Sequence, residues 1–311
     1  LQRDYILYVP ALYNATNPTP LVFNFHGYTS NANDQMWYGD FRSIADTAGF
    51  IIAHPMGTLD NSGNTHFNVG WGGSSVDDIG FTSALIDSIS AAYSINLNRV
   101  YSTGMSNGGY FSYHLTCNLS TKIAAIASVT GTMSQFTYNN CNPQHPVPVM
   151  EIHGTADATV PYNGLLSIPD VMDYWVIYNQ CDTQSVITQI PNINIIDGST
   201  VEHYVWKNGL NGVDVEHFKI IDGAHTWPGA PFALGTTNYD IDASVEIWKF
   251  FSRYDINGLI NSSTFVAEIE SKGKKLIKIV DVLGRESFPI KNTPFFYIFD
   301  DGSVEKKLIF K

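Results

Sequence analysis

Val100-Tyr101-Ser102-Thr103-Gly104-Met105-Ser106-Asn107-Gly108-Gly109 holds a Gly-x-Ser-x-Gly pattern, with a β-rich run before it and a helix-compatible run, Tyr110 to Cys117, after it. The glycines let a strand turn sharply into a helix and lift Ser106 into the open. A serine hydroxyl is a poor nucleophile until a base takes its proton. A helix beginning just beyond it aims backbone N–H groups at the place where a negative oxygen would form. The motif is short enough to arise by chance, so its meaning depends on context. The chain must also supply an acid, a base and an anion-binding loop.

Around this stretch, short apolar runs alternate with helical ones. Residues 3–9 read as an early strand, and Pro20-Leu21-Val22-Phe23-Asn24-Phe25 as a second that stops at His26-Gly27-Tyr28. Asn33 or Asp34 caps a helix expected to run to Ala48 and close at Gly49. Phe50 to Ala53, Ala124 to Val129 and Val147 to Ile152 are further buried strands. Asp77 or Asp78 opens a helix carrying Phe81, Leu85 and Ile89. The long Gly/Asn/Ser-rich loop from Gly57 to Ser75, holding Trp71, exceeds the usual connection length and is a candidate functional loop. After a helix near Val171 to Asn179 come two alternating strands, 201–206 and 215–221. A last helix carries Val245, Trp248 and Phe251. This alternation predicts an α/β fold, a mostly parallel central sheet flanked by helices.

At 311 residues, 44% of them hydrophobic, the chain is long enough for one large domain or two smaller ones. No apolar run approaches the roughly 18 residues of a membrane span. A formal charge of −12 argues against nucleic acid as a partner. More than half of the 17 Lys and Arg fall in residues 260–311, where bases outnumber acids, and the preceding residues hold the acidic excess. That shift suggests two modules: 1–256, and a small all-β module at 257–311. In the second, Lys275 to Val282 and Phe295 to Phe299 read as strands, broken by turns at Leu283-Gly284-Arg285 and Asp300-Asp301-Gly302. Leu1 stands where a Met start would; a cleaved export signal accounts for that, as does a sequence begun partway along a longer chain. Cys117, Cys141 and Cys181 allow one disulfide at most and show no metal-ligand spacing.

Partners for Ser106 occur in the order acid, then histidine. Asp157 follows the strand 147–152 within His153-Gly154-Thr155-Ala156-Asp157. His225 follows the strand 215–221 within Gly223-Ala224-His225-Thr226-Trp227. The order Ser…Asp…His at successive strand ends is that of the α/β-hydrolases. It places all three at the carboxyl edge of one sheet, where open α/β folds bind ligands. In this scheme His225 takes the Ser106 proton, Asp157 orients the imidazole, and no metal or cofactor is needed. Asn107 N–H supplies one oxyanion-hole donor, and the loop His26-Gly27-Tyr28-Thr29 supplies Tyr28 N–H as the other. His153 reads as a buried histidine satisfying backbone groups. Tyr28, Trp71 and Trp227 are candidate substrate-binding rings, the alternative for the two tryptophans being simple core packing.

Taken together, residues 1–256 resemble the polyhydroxybutyrate-depolymerase/feruloyl-esterase group of α/β-hydrolases within carbohydrate esterase family one. The resemblance is carried by Asn24-Phe25-His26-Gly27-Tyr28, by Trp71 with Val76 to Phe81, by Gly104 to Gly109, by His153 to Asp157 with Val160-Pro161-Tyr162, and by Gly223 to Gly229. It implies a secreted, monomeric serine esterase with a triad of Ser106, Asp157 and His225. The implied substrates are feruloyl, acetyl or hydroxy-acid esters, or polyesters including poly(ethylene terephthalate). An acyltransferase on the same scaffold is the alternative. The resemblance also implies a Cys117–Cys141 bridge, leaving Cys181 free. Residues from about 260 resemble the C-terminal sorting domain of type IX secretion. That implies the type IX machinery as a partner and export through the periplasm of a Gram-negative bacterium to the cell surface or beyond.

Overall fold

The computed structural model describes residues 3–260, 276–280, 294–299 and 303–308. Two compact units divide the chain, Leu1–Ile260 and Asn261–Lys311. In the first, β1 (Tyr5–Tyr8) and β2 (Thr19–Phe25) lead into helices α1 (Ala32–Tyr38) and α2 (Arg42–Ala48), then β3 (Ile51–Pro55). The short pair β4 (Thr58–Leu59) and β5 (Thr65–His66) precedes α3 (Asp78–Ala92), β6 (Ile95–Met105) and α4 (Asn107–Leu119). Next come β7 (Ala125–Val129), α5 (Gln135–Asn140), β8 (Val149–Gly154), α6 (Ile168–Tyr178) and β9 (Val186–Gln189). The unit closes with β10 (Thr200–Trp206), β11 (Val215–Ile221), α7 (Ala243–Phe251) and the pair β12 (Tyr254–Asp255) and β13 (Gly258–Leu259).

Nine strands form one sheet in the order β1-β3-β2-β6-β7-β8-β11-β10-β9. The run from β3 to β11 is parallel throughout, and β1, β10 and β9 join antiparallel at the edges. This is the α/β-hydrolase fold. Strand alternation assigns each side chain to a face. Leu21, Phe23 and Phe25 pack with Leu85 and Ile86 of α3, Phe111 of α4 and Trp175 of α6. Val22, Ile52 and Ala127 pack on the opposite face with Ala45 of α2 and Ile247 and Phe250 of α7. The sheet is therefore covered on both sides, as parallel sheets require.

The helix expected from residue 33 to Ala48 is two helices. Gly39 caps the first, its N–H bonding to Gln35 C=O, and Asp40 turns its carboxylate back onto the Arg42 N–H at 2.8 Å. Asn31, two or three residues earlier than expected, caps α1 by accepting from Asp34 N–H. Asp77 caps α3, and Asp78 instead binds Arg3 at 2.6 Å. Cys117 at the end of α4 is bridged to Cys141 just past α5, and Cys181 is buried and free.

In the second unit β14 (Leu276–Val280), β15 (Pro294–Phe299) and β16 (Val304–Leu308) form a three-stranded antiparallel sheet in sequence order. The turns expected at Leu283-Gly284-Arg285 and Asp300-Asp301-Gly302 lie outside the described residues.

Candidate active site

Four loops meet at the carboxyl edge of the parallel strands, following β2, β6, β8 and β11. Ser106 tops the turn between β6 and α4 with φ 53° and ψ −118°, a strained conformation for a residue with a side chain. Its N–H bonds to Val129 C=O at 2.8 Å, anchoring the turn to β7. The neighbouring glycines are sterically required. A Cβ on Gly104 would lie 2.5 Å from Phe25 O, and one on Gly108 only 2.2 Å from the same oxygen. The turn thus closes onto the end of β2.

His225 Nδ1 faces Asp157 Oδ2 at 2.7 Å; the Asp157 side chain is fully buried and the ring one-fifth exposed. Asp157 Oδ1 accepts from the Thr159 and Val160 N–H groups, both at 2.8 Å. With those donors fixed, Asp157 is an acceptor and the ring proton sits on Nδ1. No other hydrogen bond engages His225 among the described residues, which leaves Nε2 for Ser106 on the wall of the same cleft. Burial works to raise the Asp157 carboxyl. The bond and charge of His225, the Val160 N–H and the His153 charge outweigh it, and the group is held below its ordinary value. The acid and base loops are also tied to each other. Ala156 N–H bonds to Gly223 C=O at 2.9 Å, Thr155 N–H to Ile220 C=O at 2.8 Å, and Asp222 N–H to Thr155 Oγ1 at 2.8 Å.

Tyr28 and Asn107, the expected oxyanion-hole residues, follow β2 and Ser106 respectively. Asn107 is the first residue of α4, where N–H groups have no intrahelical acceptor. The Tyr28 N–H is aimed by its own peptide plane. His26 Nε2 accepts from Gly57 N–H at 2.9 Å, so its proton is on Nδ1, which donates to Gly27 C=O at 2.7 Å. Because a trans peptide sets C=O and N–H in opposite directions, fixing the Gly27 carbonyl against His26 turns the Tyr28 N–H away from that ring. Burial lowers the His26 pKa and keeps the ring neutral in this role.

Ser106 and Tyr28 lie between two lobes of the cleft. One, of about 460 Å³, also takes in Trp37, Tyr38, Met105, His225, Phe232 and Leu234. The other, of about 420 Å³, is lined by Trp71, Tyr110, Asp60, His66 and Val160. Trp71 is 49% exposed and stands edge-on to Tyr110 with centroids 4.9 Å apart. Tyr28, 39% exposed, donates its hydroxyl to Asp60 at 2.6 Å and accepts from Asn64 at 2.8 Å. Trp227 corrects the sequence reading. It is 1% exposed, packs edge-on to Phe41 at 6.1 Å and donates to Ser244 Oγ at 3.2 Å, so it serves the core beneath His225 and not the cleft wall.

The sequence reading passed over Trp37, Phe232 and Tyr110. Tyr110 was within reach, since it follows Ser106 by one helical turn and so shares its face. The Asn107 carboxamide was also missed: it bonds to both backbone groups of Phe67. Among the described residues no cluster of His, Cys, Asp or Glu is arranged to hold a metal ion, and no helix is long and apolar enough to cross a membrane.

The fold is that of the α/β-hydrolases, and the chain is similar to proteins named as ester hydrolases. A family model described as Phospholipase/Carboxylesterase matches residues 78–173. The chain is similar to the bifunctional acetylxylan esterase/xylanase of Neocallimastix patriciarum, with 28% identity over 262 residues, covering 84% of this chain and 35% of that protein. The chain therefore spans about a third of that relative's length. It is also similar to the probable feruloyl esterase C of Aspergillus niger, with 27% identity over 257 residues, covering 80% of this chain and 83% of the relative. Among solved structures, the acetyl xylan esterase from Aspergillus awamori superposes with a TM-score of 0.56 at 13% identity, over 80% of this chain and 93% of that one. That likeness concerns the fold.

Proposed function

We propose that the chain is a secreted serine ester hydrolase in which Ser106, His225 and Asp157 form the catalytic triad. The observation that carries this reading is the 2.7 Å His225–Asp157 pair beside a serine held at positive φ on the same cleft. His225 Nε2 takes the Ser106 proton as Oγ attacks the ester carbonyl. The Tyr28 and Asn107 N–H groups hold the resulting oxyanion. The imidazolium then gives its proton to the departing alcohol, leaving an acyl-enzyme. Water, activated by the same ring, attacks that ester and frees the acid.

The substrate proposed is an ester with a flat aromatic or hydroxy-acid acyl group, including feruloyl esters and aromatic or aliphatic polyesters. Exposed Trp71 and partly buried Tyr110 in one lobe support it, since such rings form planar apolar contact surfaces. The relative named as a bifunctional acetylxylan esterase/xylanase favours a second reading, a polysaccharide acetyl esterase. Comparing kcat/KM on feruloyl, acetyl, butyrate-oligomer and terephthalate esters separates the two. Ser106→Ala is expected to lower hydrolysis of all of them by at least about 10³-fold; full activity in that variant defeats the triad. Product analysis with added alcohols tests for acyl transfer. Export is supported by the Cys117–Cys141 bridge, a feature of oxidising compartments. The type IX assignment of residues 257–311 rests on sequence resemblance. Truncation at 257 is expected to abolish export and leave hydrolysis intact.

A further inference from the structure

Behind Asp157 lies a second buried histidine that the mechanism above does not use. Glu151 and His153 are two residues apart on β8 and so face the same side of the sheet. Both side chains are fully buried. His153 Nδ1 lies 2.9 Å from Glu151 Oε1, and Nε2 lies 2.8 Å from Val160 C=O and 3.4 Å from Asp157 Oδ2. Glu151 Oε2 accepts from the Tyr113 hydroxyl at 2.9 Å.

The partners of the ring restrict its protons. A backbone carbonyl can only accept, so Nε2 carries hydrogen. Nδ1 points at a carboxyl group whose other oxygen already accepts from a phenol. Two arrangements pair every group: a Glu151 acid donating to a neutral ring, which burial favours by raising the Glu151 carboxyl, and a carboxylate facing a ring protonated on both nitrogens, which the bonds and charge of His153 favour and which has two charge-assisted bonds. His217 on the neighbouring strand is the contrast. It donates from Nδ1 to Glu151 C=O, and Nε2 accepts from Tyr162 OH, so a neutral ring suffices.

We infer that His153 is a buried imidazolium, charged by Glu151, that positions Asp157 and weakens its pull on the His225 proton, a role that rests on the triad proposed above. Asp157 then feels positive charge on two sides, His225 when protonated and His153 throughout. Without the second charge the carboxylate holds the His225 proton more tightly, and the base becomes competent only at higher pH. Burial alone would strip the proton from His153. The bond and charge of Glu151, with the Val160 carbonyl and the Asp157 charge, outweigh it and raise the ring above its ordinary value. The other titratable groups around the site are Tyr110 and Tyr113 of α4, Tyr162, and His217 and Lys219 of β11. His217 is pushed down to about 3, chiefly by burial, and Lys219 is paired with Glu202 at 3.3 Å. Neither replaces the His153 charge.

The test has two arms on the full chain. In the first, kcat/KM for p-nitrophenyl acetate is measured against pH for wild type, His153→Gln, Glu151→Gln and the double variant. Glu151→Gln keeps the shape and removes the charge that holds the proton on the ring. Each single variant is expected to move the acid limb up by about 0.5 pH unit or more. The double variant should match the singles, because all three lack the same cation. Variants that retain the wild-type melting curve and lose rate with an unmoved acid limb would assign His153 a packing role only. In the second arm, ¹⁵N NMR of the wild-type histidine rings, with His153 assigned by its absence in His153→Gln, reads protonation directly and needs no activity. Imidazolium shifts on both His153 nitrogens at neutral pH are expected; a neutral ring at pH 7 overturns the inference. If the NMR shows the cation while Ser106→Ala stays active, the triad fails and the buried charge stands.

Discussion

The Asn107 carboxamide clasps Phe67 from both sides, Oδ1 accepting its N–H at 2.7 Å and Nδ2 donating to its C=O at 3.0 Å. The residue after the candidate nucleophile is therefore given two tasks: its N–H serves the proposed oxyanion hole, and its side chain pins the loop between β5 and α3. Asn107→Ala keeps the first and removes the second. It also leaves two buried backbone groups unpaired, at about 1–3 kcal/mol each where water does not enter. The expected result is a lower thermal midpoint together with a fall in kcat/KM of about 10- to 100-fold, the size that misplaced positioning groups cost. A variant as stable and active as wild type would show the clasp to be dispensable.

Trp71 and Trp227 should separate cleanly. Trp71→Ala is expected to raise KM for aromatic acyl esters about tenfold, change acetyl-ester turnover little, and leave the melting curve in place, because the ring is half exposed. Trp227→Ala is expected to cost about 3–5 kcal/mol of stability, the usual penalty for emptying a buried aromatic site. Equal effects of the two on KM would contradict this division.

Buried histidines set the acid limit of stability. Burial, the leading cause, lowers His54 and His114 to about 4 and His217 to about 3. In the unfolded chain these rings titrate near about 6.5. Below that pH the unfolded state takes up protons that the folded state refuses, so stability falls as pH drops from about 6.5 towards the folded values. Each ring contributes about 1.4 kcal/mol per pH unit across that window. His153, with its raised value, has the opposite sign: its contribution is present at low pH and is lost as pH rises through its folded value. Urea midpoints at pH 7, 5.5 and 4.5 should fall in that order, and a flat series would count against the three neutral rings.

The Cys117–Cys141 bridge closes a 24-residue separation between α4 and the segment leading to β8. Replacing both cysteines by serine is expected to remove about 3 kcal/mol, the loop-closure value for that length. Chemical denaturation of the oxidised protein and the double variant measures it directly.

The sequence made the sheet and the chain order of Ser106, Asp157 and His225 legible because each follows a short apolar run that can only be a buried strand. The position of Tyr28, on the cleft just past β2, was legible for the same reason. The first lobe of the cleft was not. Trp37 comes from the end of α1, and Phe232 and Leu234 from the segment between β11 and α7. These pieces are brought together only by folding, and none has a periodic signature. Trp227 misled because adjacency to His225 says nothing about direction: the chain turns there, and the indole points down towards Phe41 and Ser244. Residues 33–48 looked like one helix because Gly39 and Asp40 interrupt the pattern for only two positions.

The cross-links between the loops carrying Asp157 and His225 divide the candidate machinery kinematically. Thr155, Ala156, Asp222 and Gly223 rivet acid and base into one part. Ser106 is fastened separately to β7 through Val129. Displacement within either part is resisted by hydrogen bonds. Among the described residues no hydrogen bond joins the imidazole to the Ser106 hydroxyl, so the two groups are set independently, each by its own anchor to the sheet.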